Sequence, residues 1–236
     1  MNLIVLFEDD FIDNGKHVRL SGRRHKHLRN ICRVSVGDEL CVGLCDGDIG
    51  TGRIMVLGDD ALEMDVTLNA SAPPAIPVTL VMALPRPIML KRVLSTVSSM
   101  GVKSIFLFHS HRVEKSFWKS PAIKEENLRA QLVLGLEQAR DTILPKVELR
   151  PLFKPFVEDE LRQIAQNTLS LVAHPQSSKP CPRNVGEPVT LVVGPEGGFI
   201  PYEVEKLISL GFIPVHLGER ILRVESAVPA LLSRLF

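Results

Sequence analysis

Two segments near the C-terminal end of the chain combine the residue types from which a small-molecule site can be built. In VVGPEGGFIPYEVEKL (192–207), Gly194, Pro195, Glu196, Gly197 and Gly198 separate a short apolar run from a helix-like stretch that opens at Pro201. Glycine reaches backbone angles closed to other residues and lets a ligand approach the main chain. Pro195 stiffens the turn, Pro201 suits a first helical position, and amides at a helix start lack intrahelical acceptors. In LGERILRVESAVPALL (217–232), Arg220, Arg223 and Glu225 fall within six residues. Arginine offers planar, permanently charged forks for an anionic or carbonyl-rich partner. Glu225 or Ser226 is placed to cap the final helix. A third turn, at His174-Pro175, ends the run LSLVAHP.

The glycine turn does not read as a phosphate loop. No Gly-Lys-Ser/Thr follows it, and no G-x-G-x-x-G with a downstream acid is present, so Walker and dinucleotide sites are not supported. Glu196 inside the turn would repel phosphate. The arrangement suits a nucleoside-like or cationic ligand without a phosphate chain. A tight structural turn is the plain alternative, since glycine often only marks turns.

Positioning these loops requires a sheet. After ASAPPAIP (70–77), apolar runs alternate with helical patterns: VTLVMAL (78–84), a helix ending at Gly101, SIFLFHS (104–110), a helix over 121–140, and a helix over 157–167. LSLVAHP (169–175), VTLVVG (189–194), a helix over 201–211, FIPVHLG (212–218) and a closing helix complete the series. Such alternation predicts a parallel α/β sheet covered on both faces. Ligands then bind beyond the carboxyl ends of strands, which points to the loops after Ala173, Val193 and Leu217. Residues 1–70 instead show short strand-like pieces punctuated by Gly-Asp and Asp-Gly pairs, with one helix over 23–32. The chain therefore reads as a small β-rich domain over 1–70 and an α/β domain over 73–236.

Net charge is only +1, but KHVRLSGRRHKHLRNICR (16–33) holds seven Lys or Arg, three His and no acid. It is either a solvated helix face or a positive surface suited to phosphates. Cys32, Cys41, Cys45 and Cys181 lack paired zinc-ribbon spacing and read as reduced, structural cysteines; no metal site is expected. No apolar run approaches the ~18–20 residues of a membrane helix. The start, MNLIVLFEDDF, shows no basic n-region or cleavage site, so a cytoplasmic protein without a membrane partner is expected.

VVGPEGGFIPYEVEKL, then LGERILRVESA, with LVAHP upstream, resembles the SPOUT-class methyltransferases, and within them the 16S ribosomal RNA uridine-N3 branch. The pattern Leu-Gly-x-Arg-Ile/Val-Leu-Arg-x-Glu-Ser/Thr-Ala is met at Leu217, Gly218, Arg220, Ile221, Leu222, Arg223, Glu225, Ser226 and Ala227. Glu137, Gln138, Arg140 and Pro145 resemble a further segment of that branch, and HLRNICRVSVGDELCVGLCDG resembles its PUA-like β-barrel. The resemblance implies a C-terminal deep trefoil knot, a homodimer with active sites at the subunit interface, and S-adenosyl-L-methionine as donor. It implies donor binding by His174, Pro175, Gly194, Pro195, Glu196, Gly197, Gly198, Leu217, Gly218, Ile221, Leu222, Ser226 and Ala227. Arg220 or Arg223 would stabilise a developing uracil imide anion, and Glu225 would orient the base or take part in proton removal. Ribosomal RNA would be gripped by Lys16, Arg19, Arg23, Arg24, Lys26, Arg29, Arg33 and Arg140. The chain departs from the branch at its arginine-free start and at LSTVSSMG, both on the implied RNA side. A ribose 2′-O-methyltransferase of the same superfamily and a non-catalytic RNA-binding relative are the other readings.

Overall fold

The computed structural model describes residues 2–13 and 15–236. Its chain divides into two compact units, Met1–Pro74 with Leu136–Leu144, and Ala75–Gly135 with Pro145–Phe236. The nine residues from Leu136 to Leu144 thus group with the first unit, although they lie in the second half of the sequence.

In the first unit, β1 (Ile4–Leu6), β2 (His17–Ser21), β3 (Glu39–Leu44), β4 (Ile49–Leu57) and β5 (Ala61–Ala70) form a sheet of order β1-β3-β4-β5-β2. All pairings are antiparallel except β1 with β3. Period-two patterning decides the faces. Val18 and Leu20 of β2 and Leu62, Met64 and Val66 of β5 point inward, while Arg19 and Ser21 stay outside. The core they share with Ile4, Leu6, Val42, Ile54 and Leu28 is closed by α1 (Gly22–His27), which continues as a wider turn over Leu28–Cys32. The two edges, β1 and β2, do not pair with each other among the described residues.

The second unit is α/β. Its sheet contains β6 (Val78–Ala83), β7 (Ser104–Phe108), β8 (Lys146–Arg150), β9 (Leu169–Ala173), β10 (Val189–Val193) and β11 (Ile213–Val215), in the order β11-β9-β10-β6-β7-β8. Every pairing is parallel. β10 lies inside the sheet and is buried along its whole length, which explains the unbroken run VTLVV. Its one polar side chain, Thr190, is satisfied by Thr168 at 2.8 Å. The helices are α2 (Pro87–Ser99), α3 (Glu125–Ala139, of which Leu136–Ala139 group with the first unit), α4 (Phe153–Pro155), α5 (Leu161–Ile164), α6 (Pro201–Ser209) and α7 (Val224–Leu235). The single helix expected over 157–167 is instead α4, a wide turn over Phe156–Glu160, and α5. That irregular path seats Phe156 against Phe106 and Phe108, with ring centroids 5.8 Å and 5.6 Å apart. The sequence patterns missed β1 and β8, each only 3 or 5 residues long. Among the described residues no helix is long and apolar enough to cross a membrane.

Strand register determines where a ligand can approach. Val193 of β10 pairs with Ala173 of β9 and with Met82 of β6, and Val215 of β11 also pairs with Ala173. The carboxyl ends of these strands therefore finish level, and their loops emerge along one edge of the sheet.

Candidate functional site

At that edge a cleft of about 670 Å³ opens in the second unit. Its wall is built from Ala173–Gln176 after β9, Val193–Phe199 after β10, and Val215–Gly218 with Arg220–Leu222 after β11. Val224, Ala227 and Leu231 of α7 and Pro201, Val204 and Glu205 of α6 complete it. This volume falls within the range of roughly 300–1,000 Å³ usual for small-molecule sites.

The glycine segment folds as a turn in which Gly198 N–H donates to Pro195 O at 2.8 Å. Gly198 has φ +72°, a left-handed angle that disfavours any other residue. Phe199 then drops into the core and stacks on Phe108, centroids 6.2 Å apart, which fixes the exit of the turn. Among the described residues, the amides of Glu196 and Gly197 donate to no group of the chain. Glu196 is exposed and accepts the Arg86 N–H at 3.0 Å. Its carboxylate thus serves the loop after β6, beyond the electrostatic role read from sequence. After β11, Gly218 N–H donates to Nδ1 of His216 at 3.0 Å, with Gly218 at φ +131°. After β9, His174 N–H donates to Val215 O at 2.9 Å and ties two walls together. Ile221 and Leu222 are 81% and 42% exposed, apolar surface turned to solvent where a ligand could cover it.

Of the residues read from sequence, His174, Pro175, Gly194, Pro195, Glu196, Gly197, Gly198, Leu217, Gly218, Arg220, Ile221, Leu222 and Ala227 all line this cleft. Arg223, Glu225 and Ser226 do not. Arg223 itself holds the N-cap position of α7, with φ −68° and ψ 155°, and its carbonyl accepts the Ser226 and Ala227 amides at 2.9 Å and 2.7 Å. Capping by Glu225 or Ser226 is therefore corrected, because both lie inside the first turn. Glu225 borders a separate shallow recess with Lys91, Arg92, Ser95, Thr96 and Gln131.

The sequence reading missed the loop after β7. Arg112 lines the cleft, and its guanidinium donates to Gly197 O. Glu203, 2% exposed, accepts the His111 N–H at 2.7 Å and the Ile200 N–H at 3.1 Å, so one carboxylate fastens this loop to the start of α6. Beside it, Nδ1 of His109 accepts the Trp118 indole N–H at 3.0 Å. Burial holds the His109 pKa below its ordinary value, in keeping with a ring nitrogen that must stay unprotonated to accept. The signal was available: HSHR follows the strand SIFLF, and the strand-end rule applies there as elsewhere.

The basic segment belongs to the first unit, and four of its seven Lys and Arg side chains are already engaged. Arg19 pairs with Glu63 at 3.8 Å, Arg23 with Glu137 at 3.2 Å, Arg24 with Asp10 at 2.6 Å and Arg29 with Asp59 at 2.8 Å. Lys16, Lys26, Arg33 and Arg140 are exposed and have no acid partner among the described residues. Glu137 is almost fully buried, and burial raises its pKa against the opposing pull of Arg23. None of the four cysteines is in a disulfide, and among the described residues no group of three or more His, Cys, Asp or Glu could hold a metal ion.

Comparison with known proteins agrees with this geometry. Residues 72–236 match the RNA methyltransferase domain family. The ribosomal RNA small subunit methyltransferase E of Treponema pallidum is 30% identical, the match covering 96% of this chain and 88% of that protein. The protein of the same name from Synechocystis is 25% identical over 92% of this chain and 72% of its own. Among solved structures, a putative methyltransferase of Legionella pneumophila superposes with TM-score 0.77 at 24% identity, covering 99% of this chain and 96% of its own. The Neisseria gonorrhoeae ribosomal RNA small subunit methyltransferase E gives 0.76 at 21%, covering 99% and 95%. The chain thus belongs to the RNA methyltransferase domain family, among relatives named ribosomal RNA small subunit methyltransferase E.

Proposed function

We propose that this protein is an S-adenosyl-L-methionine-dependent methyltransferase that modifies N3 of a uridine in 16S ribosomal RNA. The observation that carries the reading is the convergence of three strand-end loops on one cleft, lined by the glycine turn and by Leu217, Gly218, Arg220, Ile221, Leu222 and Ala227 of LGERILRVESA. Support comes also from two solved relatives, from Neisseria gonorrhoeae and Legionella pneumophila, whose structures are described as bound to this donor. The uridine-N3 assignment rests on the resemblance of the Leu217–Ala227 motif to that branch. A C-terminal trefoil knot, a PUA-like RNA-binding barrel over 1–70, a methyltransferase domain over 73–236, a homodimer and a cytoplasmic location belong to the same reading.

The cleft fits such a donor chemically. Open amides at Glu196 and Gly197 suit a nucleoside's acceptors, Ile221 and Leu222 offer apolar surface to a base, and none of the described residues that line the cleft is a lysine that could meet a phosphate chain. His174, Pro175, Gly194–Gly198, Leu217, Gly218, Ile221, Leu222 and Ala227 would hold it. When bound, S-adenosylmethionine supplies a methyl group already activated on a sulfonium. The chain's work is then to bring acceptor and donor into line. Arg220, which lines the cleft, is assigned to the negative charge that develops on the uracil imide as its N3 proton leaves. Arg223, Glu225 and Ser226, outside this chain's cleft, are assigned to the subunit boundary of the homodimer. There Glu225 would orient the base or receive the proton. Lys16, Lys26, Arg33 and Arg140, exposed and without acid partners, would carry most of the RNA backbone contact.

The test is nucleoside mapping of ribosomal RNA from cells with and without the gene. Loss of N3-methyluridine at one position is expected. Loss of a ribose methyl instead would move the protein to the 2′-O class. An unchanged modification pattern, with no binding of S-adenosylhomocysteine in calorimetry, would leave a non-catalytic RNA-binding relative.

A further inference from the structure

We propose that Arg112 is a positioning residue for the glycine turn: it locks the Gly197–Gly198 peptide so that the turn's open amides face a bound nucleoside. The inference rests on the donor reading above for its ligand, and on observed contacts for its geometry.

Both polar groups of one peptide plane are fixed. Gly198 N–H donates to Pro195 O from inside the turn, and the Arg112 guanidinium donates to Gly197 O from outside. The arginine stem lies along the turn rather than merely touching it. A Cβ placed on Gly197 would meet Arg112 Cδ at 3.2 Å and its Cβ at 3.4 Å. Glycine at this position therefore makes room for the arginine. Two glycines in succession would otherwise leave the peptide free to rotate. Arg112 is itself held. Glu203 accepts the amide of His111, the residue just before it, and with its other oxygen the amide of Ile200, just past the turn. One buried carboxylate thus sets the two attachment points between which Arg112 spans. A turn ordered before binding loses less freedom when the ligand arrives, and this raises affinity without adding a ligand contact.

The experiment compares the protein with Arg112→Met, which keeps the stem and loses the hydrogen bond, and with Arg112→Lys, whose ammonium can still reach a carbonyl. Hydrogen exchange of the segment containing the Gly198 amide is followed in the ligand-free protein, and S-adenosylhomocysteine and 5′-methylthioadenosine affinities are measured by calorimetry. In Arg112→Met, exchange at this segment is expected to accelerate about tenfold while the thermal midpoint stays within about 2 °C of the parent, as surface changes usually allow. Both ligands should weaken by about tenfold, because the turn serves the nucleoside they share. In kinetics the donor KM should rise with kcat little changed, and Arg112→Lys should recover part of both effects. Unchanged exchange in Arg112→Met overturns the lock, whatever the protein binds. Faster exchange with unchanged affinity overturns its role in positioning. Weakening of S-adenosylhomocysteine alone would make Arg112 a direct partner of the amino-acid end and likewise overturn the proposal. If the parent protein binds neither ligand, the donor reading fails, and with it the positioning role.

Discussion

Replacing Arg24 with alanine separates structural cations of the basic segment from those proposed to face RNA. The guanidinium donates to both oxygens of Asp10, each at 2.6 Å, and to Val5 O at 2.9 Å. Its Cζ lies 5.3 Å from the Phe7 ring centroid. The Arg24 and Asp10 side chains are only 17% and 10% exposed, so a carboxylate left alone would recover little hydration. Removing one member of a buried pair costs about 3–5 kcal/mol. Asp10 would keep the Phe7 N–H at 2.7 Å, which places the expected loss at the lower end, about 3 kcal/mol. Urea unfolding monitored by circular dichroism measures it, and hydrogen exchange of β1 and β2 localises it to the first unit. A cycle with Asp10→Asn should return a coupling of about 2 kcal/mol, within the range for directly bonded neighbours. The same substitution should leave the salt dependence of RNA binding nearly unchanged once the fraction folded is allowed for. Lys26→Ala should do the opposite, leaving stability within about 0.5 kcal/mol and lowering the salt slope by about 0.7–0.9 for each phosphate that the lysine neutralises. An Arg24→Ala protein destabilised by less than about 1 kcal/mol, with a reduced salt slope, would refute the argument and return Arg24 to the RNA-binding set.

Three further outcomes are expected. Arg220→Ala should lower kcat by about 10²-fold or more, the usual cost of one preorganised charge-stabilising donor, with S-adenosylhomocysteine affinity within about threefold of the parent by calorimetry; full turnover would remove Arg220 from the reaction. Gly135→Ala should destabilise the second unit by about 1–3 kcal/mol in thermal unfolding, because the added methyl would press on the Ser95 carbonyl and meet Ser98 Cβ at 2.6 Å. Glu137 gives a pH signature: burial raises its folded pKa, so the native state holds the proton more tightly than the unfolded chain. Its contribution to stability is full below the ordinary value of 4.5 and is lost as pH rises from there through the raised pKa. Glu137→Gln should flatten that part of the stability profile, and an unaltered slope in urea titrations across the window would count against it.

What the sequence made legible, and what it hid, divides along physical lines. The parallel sheet was readable because each buried strand is a local apolar run and each helix has its own period. Once strand ends were assigned, the strand-end rule located the loops at His174, Gly194 and Leu217 without reference to any family. Strand order was not readable. It is a set of long-range pairings, and the order β9-β10-β6-β7 brings the loops after β6 and β7 to the flank of the glycine turn. Arg86 and Arg112 therefore enter through contacts across 110 and 85 residues of sequence. No local pattern encodes such distances. The irregular path around Phe156 was hidden for a related reason: it follows Pro155 and goes with ring contacts to Phe106 and Phe108 of β7, which no local pattern encodes.

The basic segment shows the same limit, because here a local pattern left out the partners of its charges. Residues 16–33 contain no acid, so a sliding window reports an uncompensated positive surface. The sheet compensates it from elsewhere. Antiparallel pairing of β2 with β5 sets Arg19 opposite Glu63 and His17 opposite Asp65. Asp10 arrives from the turn before β2, Asp59 from the turn before β5, and Glu137 from the segment that joins the first unit out of sequence. A like-charged run along one strand attracts opposite charge to the neighbouring strand, because like charges opposed across the pair would destabilise it. The acids are thus part of what allows the run to fold. Charge density along the chain measures the need for partners as much as the capacity to bind RNA. The cations left over after folding, Lys16, Lys26, Arg33 and Arg140, are the ones on which an RNA surface can be argued.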